Sequence, residues 1–141
     1  MPLATKQRLI IKADRDNLSQ VRDFIQESAG TAGVDADGIG DLLIAVDEAV
    51  TNTIIHGCKS GDGCIAIEID NQPEALVVRI VDNCSLFDPT QNTDPDLMAS
   101  PLDREEAGGF GVYLLKRLVD EISYKATEDG RNELTLLKRY S

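Results

Sequence analysis

The stretch DEAVTNTIIHG, residues 47–57, places Glu48, Asn52 and the chain's single histidine, His56, four residues apart. On a helix of about 100° per residue such a series forms a slowly turning stripe on one side. Ile44 and Ile55 border that stripe, so the sequence predicts a covered face rather than plain solvent surface. A carboxylate in apolar surroundings has its charged form disfavoured, which makes Glu48 a candidate proton acceptor near neutral pH. Asn52, one turn on, offers a neutral carbonyl oxygen of the kind a hard cation such as magnesium accepts. Taken alone, Glu48 and Asn52 also read as a hydrogen-bonding pair on a helix face, and His56 reads as a structural histidine beside the helix C-terminus. Two further stretches carry candidate groups. In VDNCSLFDP, Asp82 ends a strand-like run, where it is either an acceptor for an adenine amino group or an ordinary strand-terminating turn residue. Gly108, Gly109 and Gly111 open a helix-like segment, where bare N–H groups and the positive helix end suit phosphate; a flexible joint is the plainer reading. No strand precedes these glycines and no Walker lysine follows them, so neither a dinucleotide fingerprint nor a P-loop is present.

The elements that must position these residues are legible as alternating patterns. QRLIIKA, residues 7–13, reads as a strand, and Asn17 as the cap of a helix whose Leu18, Val21, Phe24 and Ile25 share a face and which Gly30 and Gly33 end. Asp35 caps a second, longer helix that runs to Gly57, with Leu42, Leu43, Val46, Ala49, Val50, Thr53 and Ile54 turned towards a sheet. Strands follow at 64–70 and 75–82 around the turn residues Asn71, Gln72, Pro73 and Glu74. From about residue 83 to 107 the chain is turn-rich and carries Pro89, Pro95 and Pro101, and loops of that length are commonly functional lids. A helix then buries Leu114, Leu115 and Leu118 and ends near Glu121, and strands at 122–127 and 133–140 close the chain around Glu128, Asp129 and Gly130. The order predicts one domain over 1–141: an α/β (α+β) two-layer sandwich whose mostly antiparallel sheet is covered by helices on one face.

Composition bounds what such a domain contacts. With 141 residues, 42% of them hydrophobic, 4% aromatic and no tryptophan, the chain predicts an aliphatic core and no stacking platform for bases. A net charge of -11, from 25 acidic and 14 basic residues, argues against broad contact with nucleic acid or an anionic membrane and favours a basic protein partner. No apolar run is long enough to span a bilayer and no signal-type block stands at the N-terminus, so a cytoplasmic protein is expected. The three cysteines, Cys58, Cys64 and Cys84, lack paired spacing and read as buried thiols; a zinc site of these three with His56 is the rival.

The ordered set of an acidic residue with asparagine four later, an aspartate at a strand end, a loop and glycines opening a helix resembles the Bergerat-fold, histidine-kinase-like ATP-binding superfamily. Within that superfamily it is most similar to the anti-sigma-factor serine kinases of bacteria. AVDEAVTNTIIHG looks like their N-box, VDNCSLFDP like their adenine box and GGFGVYLLKRLVDEISY like their second glycine box, so the resemblance spans about residues 7–140. It implies a protein serine/threonine kinase, a transferase in which Glu48 is the general base, Asn52 holds Mg2+ and Asp82 binds the adenine of ATP. It further implies that Gly108, Gly109 and Gly111 line the phosphates beneath the lid. Arg104, the only basic residue between Asp82 and those glycines, is the candidate for the terminal phosphate, and Asn132 or Thr135 for a polar contact nearby. Cys84 stands against the base where the family has glycine. The partners implied are a small anti-anti-sigma protein, phosphorylated on serine, and a sigma factor held inactive, with relatives that dimerise through the sheet or first helix. The alternative is a partner-switching module that binds without transferring phosphate.

Overall fold

The computed structural model describes residues 6–58, 63–86, 88 and 115–140. Five strands form one wholly antiparallel sheet: β1 (Lys6–Lys12), β2 (Cys64–Asn71), β3 (Ala75–Asp82), β4 (Glu121–Ala126) and β5 (Asn132–Arg139), in the order β1-β2-β3-β5-β4. Alternation in β2, β3 and β5 sends Ile65, Ile67, Ile69, Leu76, Val78, Ile80, Leu134 and Leu136 to one face, all nearly or completely buried. Two helices cover that face, α1 (Leu18–Ala32) and α2 (Ala36–Asn52), contributing Val21, Ile25, Ala29, Leu42, Val46 and Val50 to the same aliphatic core. The two-layer α+β sandwich expected from the sequence is thus present, with the sheet antiparallel throughout the described strands.

Local chemistry explains the helix ends. Gly33 closes α1 in the left-handed region at φ 94°, a conformation costly for residues with a Cβ. Asp35 caps α2, its Oδ1 accepting from the Gly38 N–H at 2.8 Å. Asn17 does not perform the capping expected of it. A short 3-10 turn, Arg15–Asn17, precedes α1 and is capped by Asp14, while the Asn17 amide donates to the Lys12 carbonyl at 3.0 Å. Helix α2 continues into a wider π-type turn, Thr53–Gly57, in which the Cys58 N–H reaches the Thr53 carbonyl at 3.0 Å. The chain therefore stays helical to Gly57, as its sequence predicts.

The last described helical segment, residues 115–118, ends before β4 begins at Glu121, three residues earlier than its apolar pattern suggests. Lys138 on β5 fastens it: Nζ donates to the Leu118 carbonyl at 2.9 Å and to Asp41 Oδ2 of α2 at 3.1 Å. Of the expected lid, residues 87 and 89–107 lie outside the described residues, as does the start of the following helix. Among the described residues no helix is long and apolar enough to cross a membrane.

Candidate functional site

Helix α2 carries Glu48 and Asn52 one turn apart, so their side chains leave the helix on the same side. Glu48 is half-buried, and burial, aided by the neighbouring charge of Asp47, raises its carboxyl above the ordinary value. The apolar cover expected from Ile44 is absent, since that side chain is 48% exposed; Ile55 is half-buried. Asn52 is 3% exposed and lines a pocket between the end of α2 and the far ends of β3 and β5.

Ala49, Ile80, Leu115 and Leu134 give this pocket apolar walls, and Asp82, Asn132 and Tyr124 its polar side. The sheet register builds the polar side, because Asp82 and Asn132 are direct cross-strand partners at the ends of β3 and β5. Asp82, 5% exposed, accepts at Oδ1 from the Asn132 amide at 2.8 Å and from the Cys84 N–H at 2.9 Å. Burial pushes its carboxyl up, and these two hydrogen bonds oppose the shift. The Asn132 amide also donates to the Ser85 carbonyl at 2.9 Å, and the Tyr124 hydroxyl donates to Asn132 Oδ1. Asp82 is therefore both the turn residue of the plainer sequence reading and a buried acceptor facing a pocket. The pocket is partly open to solvent and its cavity is about 20 Å³, room for roughly one water.

The structure brings together Asn52, Asp82 and Asn132 from three elements around the pocket; Glu48 lies one turn before Asn52 on α2 and is not among the described residues that line it. Thr135 is excluded, because it alternates with Leu134 and Leu136 and pairs with Arg79 and Ser123 on the opposite face of the sheet. Arg104, Gly108, Gly109 and Gly111 lie outside the described residues. His56 sits in the π-type turn near the helix end, in the structural position expected, and does not line the pocket. Asn132, offered by the sequence as a polar contact near the phosphates, lines the pocket directly opposite Asp82. Tyr124 was missed altogether, its only sequence signal being a hydroxyl on an otherwise ordinary strand.

The cysteines also depart from expectation. Cys58, just past the π-type turn, and Cys84, two residues past Asp82, are joined in a disulfide with their Cα atoms 5.0 Å apart, so they are not separate buried thiols. Cys64 is an exposed free thiol. The four-ligand zinc site with His56 is thereby dismantled, two of its sulfurs being bonded to each other and the third facing solvent.

Comparison with known proteins agrees with this geometry. Residues 11–138 match the family described as histidine kinase-like ATPase domain. The chain is 32% identical over 121 residues to the serine-protein kinase RsbW of Listeria innocua, covering 83% of this chain and 77% of that protein. It is 33% identical over 96 residues to the serine/threonine-protein kinase BtrW of Bordetella bronchiseptica, covering 67% of this chain and 66% of that protein. A crystal structure of the RsbU and RsbW domains of a Mycobacterium tuberculosis protein superposes with a TM-score of 0.65 at 17% identity, which shows the shared fold. That match covers 96% of this chain, which spans about a third, 32%, of the solved one.

Proposed function

The chain belongs to the histidine kinase-like ATPase domain family, and from that premise we propose that it is an ATP-dependent serine/threonine-protein kinase of the partner-switching type. The observation that carries the reading is the convergence of buried Asn52 and Asp82 on one pocket, with Glu48 one helical turn before Asn52 on the same helix. The donor set fits a nucleotide. Apolar walls suit the faces of a purine, the Asp82 carboxylate suits its exocyclic amino group, and the Asn52 carbonyl is a hard, neutral ligand for Mg2+. Bound Mg2+ would supply charge neutralisation at the phosphates, and ATP the transferred phosphoryl group. The chain's own residues do the rest: Asp82 and Asn132 fix the base end, and Asn52 fixes the metal end. Glu48, held in a raised range, orients a serine hydroxyl and takes its proton.

The partners inferred are a small anti-anti-sigma protein presenting that serine and a sigma factor sequestered by this chain, as the relatives named RsbW suggest. The net charge of -11 suits a basic partner surface. The deciding experiment is Glu48→Gln assayed with purified anti-anti-sigma candidates and labelled ATP. Loss of transfer with nucleotide binding intact supports the assignment, and undiminished phosphorylation overturns it.

A second reading, a module that grips its partners without transferring phosphate, is favoured by one observation: Cys84 and its bond to Cys58 stand at the pocket, whose cavity is water-sized. That module would bind partners indifferently to nucleotide and to Asn52→Ala. A nucleotide-dependent change in partner affinity discards it.

A further inference from the structure

The disulfide joins the two segments that carry the site. Cys58 lies at the C-terminal end of the helix that bears Glu48 and Asn52, and Cys84 follows Asp82 and donates its N–H to that carboxylate at 2.9 Å. Beside the bond, the Ser85 N–H donates to the Gly57 carbonyl at 3.1 Å, and both Gly57 and Ser85 line the pocket. Residues 82–85 are therefore pinned to the helix end across the pocket wall. On the other side of the sulfurs stands Gly63, where a Cβ would come within 2.2 Å of Cys84 Sγ and 2.9 Å of Cys58 Sγ. No side chain can be accommodated there, and no space for the sulfurs to separate opens in that direction. Two unlinked thiols must stand at van der Waals separation instead of bond length. With Gly63 held by its carbonyl, which accepts from the Ala13 N–H at 2.9 Å, separating the sulfurs requires Cys58 or Cys84 to shift away from Gly63, and Cys84 is tied to Asp82 through its N–H.

We propose that Cys58 and Cys84 are a reversible oxidation site that gates the pocket, the disulfide form binding nucleotide more weakly than the dithiol form. The inference rests on the reading of this pocket as a nucleotide site. The oxidant is a low-molecular-weight disulfide of the glutathione type. Cys84, half-buried where Cys58 is only 5% exposed, loses its proton and attacks one sulfur of the reagent, forming a mixed disulfide and expelling the other half of the reagent as a thiolate. The Cys58 thiolate then attacks the Cys84 sulfur of the mixed disulfide and expels the second thiolate. Two protein thiols are oxidised, one reagent disulfide is reduced to two thiols, and an added dithiol reverses both steps. Cys64, an exposed free thiol, is not a member of the bonded pair.

The test is calorimetric titration of the full chain with Mg2+ and ADP after reduction by a dithiol and after oxidation by glutathione disulfide, with free thiols counted by alkylation and mass spectrometry. The expected result is two thiols lost on oxidation, mapped to Cys58 and Cys84, and at least about tenfold weaker ADP binding. In dithiol buffer Cys58→Ser is expected to bind like reduced wild type, in glutathione disulfide it is expected to stop at the mixed disulfide on Cys84, and Cys64→Ser is expected to keep the full response. Equal affinities of oxidised and reduced wild type, no mixed disulfide on Cys84 in oxidised Cys58→Ser, or oxidation confined to Cys64 overturns the switch. So does stoichiometric zinc in the reduced protein that blocks oxidation, since Cys58, Asp82 and Cys84 place ligand atoms within 4.8 Å of one another. Failure of the reduced protein to bind ADP would instead overturn the kinase reading, and the gate with it, while the thiol count would still report whether the pair forms.

Discussion

Glu48 and Asn132 are the residues on which single-atom chemistry is most sharply testable. Glu48→Gln keeps size and hydrogen-bonding capacity but cannot take a proton, so phosphoryl transfer at saturating ATP is expected to fall about 10²–10⁴-fold with little change in nucleotide affinity. The same substitution has a stability signature. Because burial and Asp47 raise the folded carboxyl above its unfolded value, folding is favoured at low pH, and that contribution is lost as pH rises through the raised range. Glu48→Gln should therefore unfold at a higher temperature than wild type at neutral pH, with the gap closing on acidification below the ordinary carboxylate range. Asn132→Ala removes the amide that serves both Asp82 and the Ser85 carbonyl, leaving a buried acceptor short of a donor. Urea unfolding should show a loss of about 1–3 kcal/mol, with nucleotide binding weakened as well. Glu48 and Asn52 were legible because a four-residue spacing is a local pattern, and Asp82 because a strand visibly ends there. The partnership of Asp82 with Asn132 spans fifty residues and exists only through the register of β3 on β5, which no local pattern encodes.

Among the elements, helix α2 matters most, since its start fixes the phase at which Glu48 and Asn52 emerge. Asp35 at its N-cap satisfies the Gly38 N–H, so Asp35→Ala should cost about 0.5–2 kcal/mol in urea unfolding. Gly38 sharpens the argument. Alanine normally favours a helix interior over glycine by about 1 kcal/mol, but a Cβ here would stand 2.7 Å from Val34 Cγ1 and 3.0 Å from the capping oxygen of Asp35. Gly38→Ala is therefore expected to destabilise, and a stabilised variant would show that the cap yields easily. The elements themselves were largely readable: β3 occupies the residues its apolar run predicts, and β2, β4 and β5 fall within a residue of theirs. Misreadings arose where two local solutions compete. Asn17 has the side chain of a cap, yet Asp14 caps the preceding turn and frees the Asn17 amide for Lys12. A helical wheel likewise cannot say which arc is covered, and so Ile44 was assigned to a covered face when half of it meets solvent.

For the whole molecule, cross-linking and ligand binding both favour the folded state, but in the proposed switch they favour different redox forms. The Cys58–Cys84 bond joins residues separated by 26 positions and encloses the whole β2–β3 hairpin. In the folded chain the pairing of Ile65 with Asp82 already holds the ends of that hairpin together, so the bond acts mainly by restricting the unfolded ensemble. Loop-closure entropy for this separation gives about 3.5 kcal/mol, an upper figure wherever the bond strains its surroundings. Without ligand, reduced protein and Cys58→Ser should thus unfold at lower urea than oxidised protein, by up to that amount. Nucleotide adds stability only to a state that binds it, about 2.7 kcal/mol at 100 times the dissociation constant. If reduction opens the pocket, saturating Mg2+ and ADP should raise the reduced form far more than the oxidised one, narrowing or inverting their difference. Two urea series with and without nucleotide separate the effects: a constant gap means that the bond is only a staple, whereas a gap that shrinks with ADP concentration means that it also governs the site.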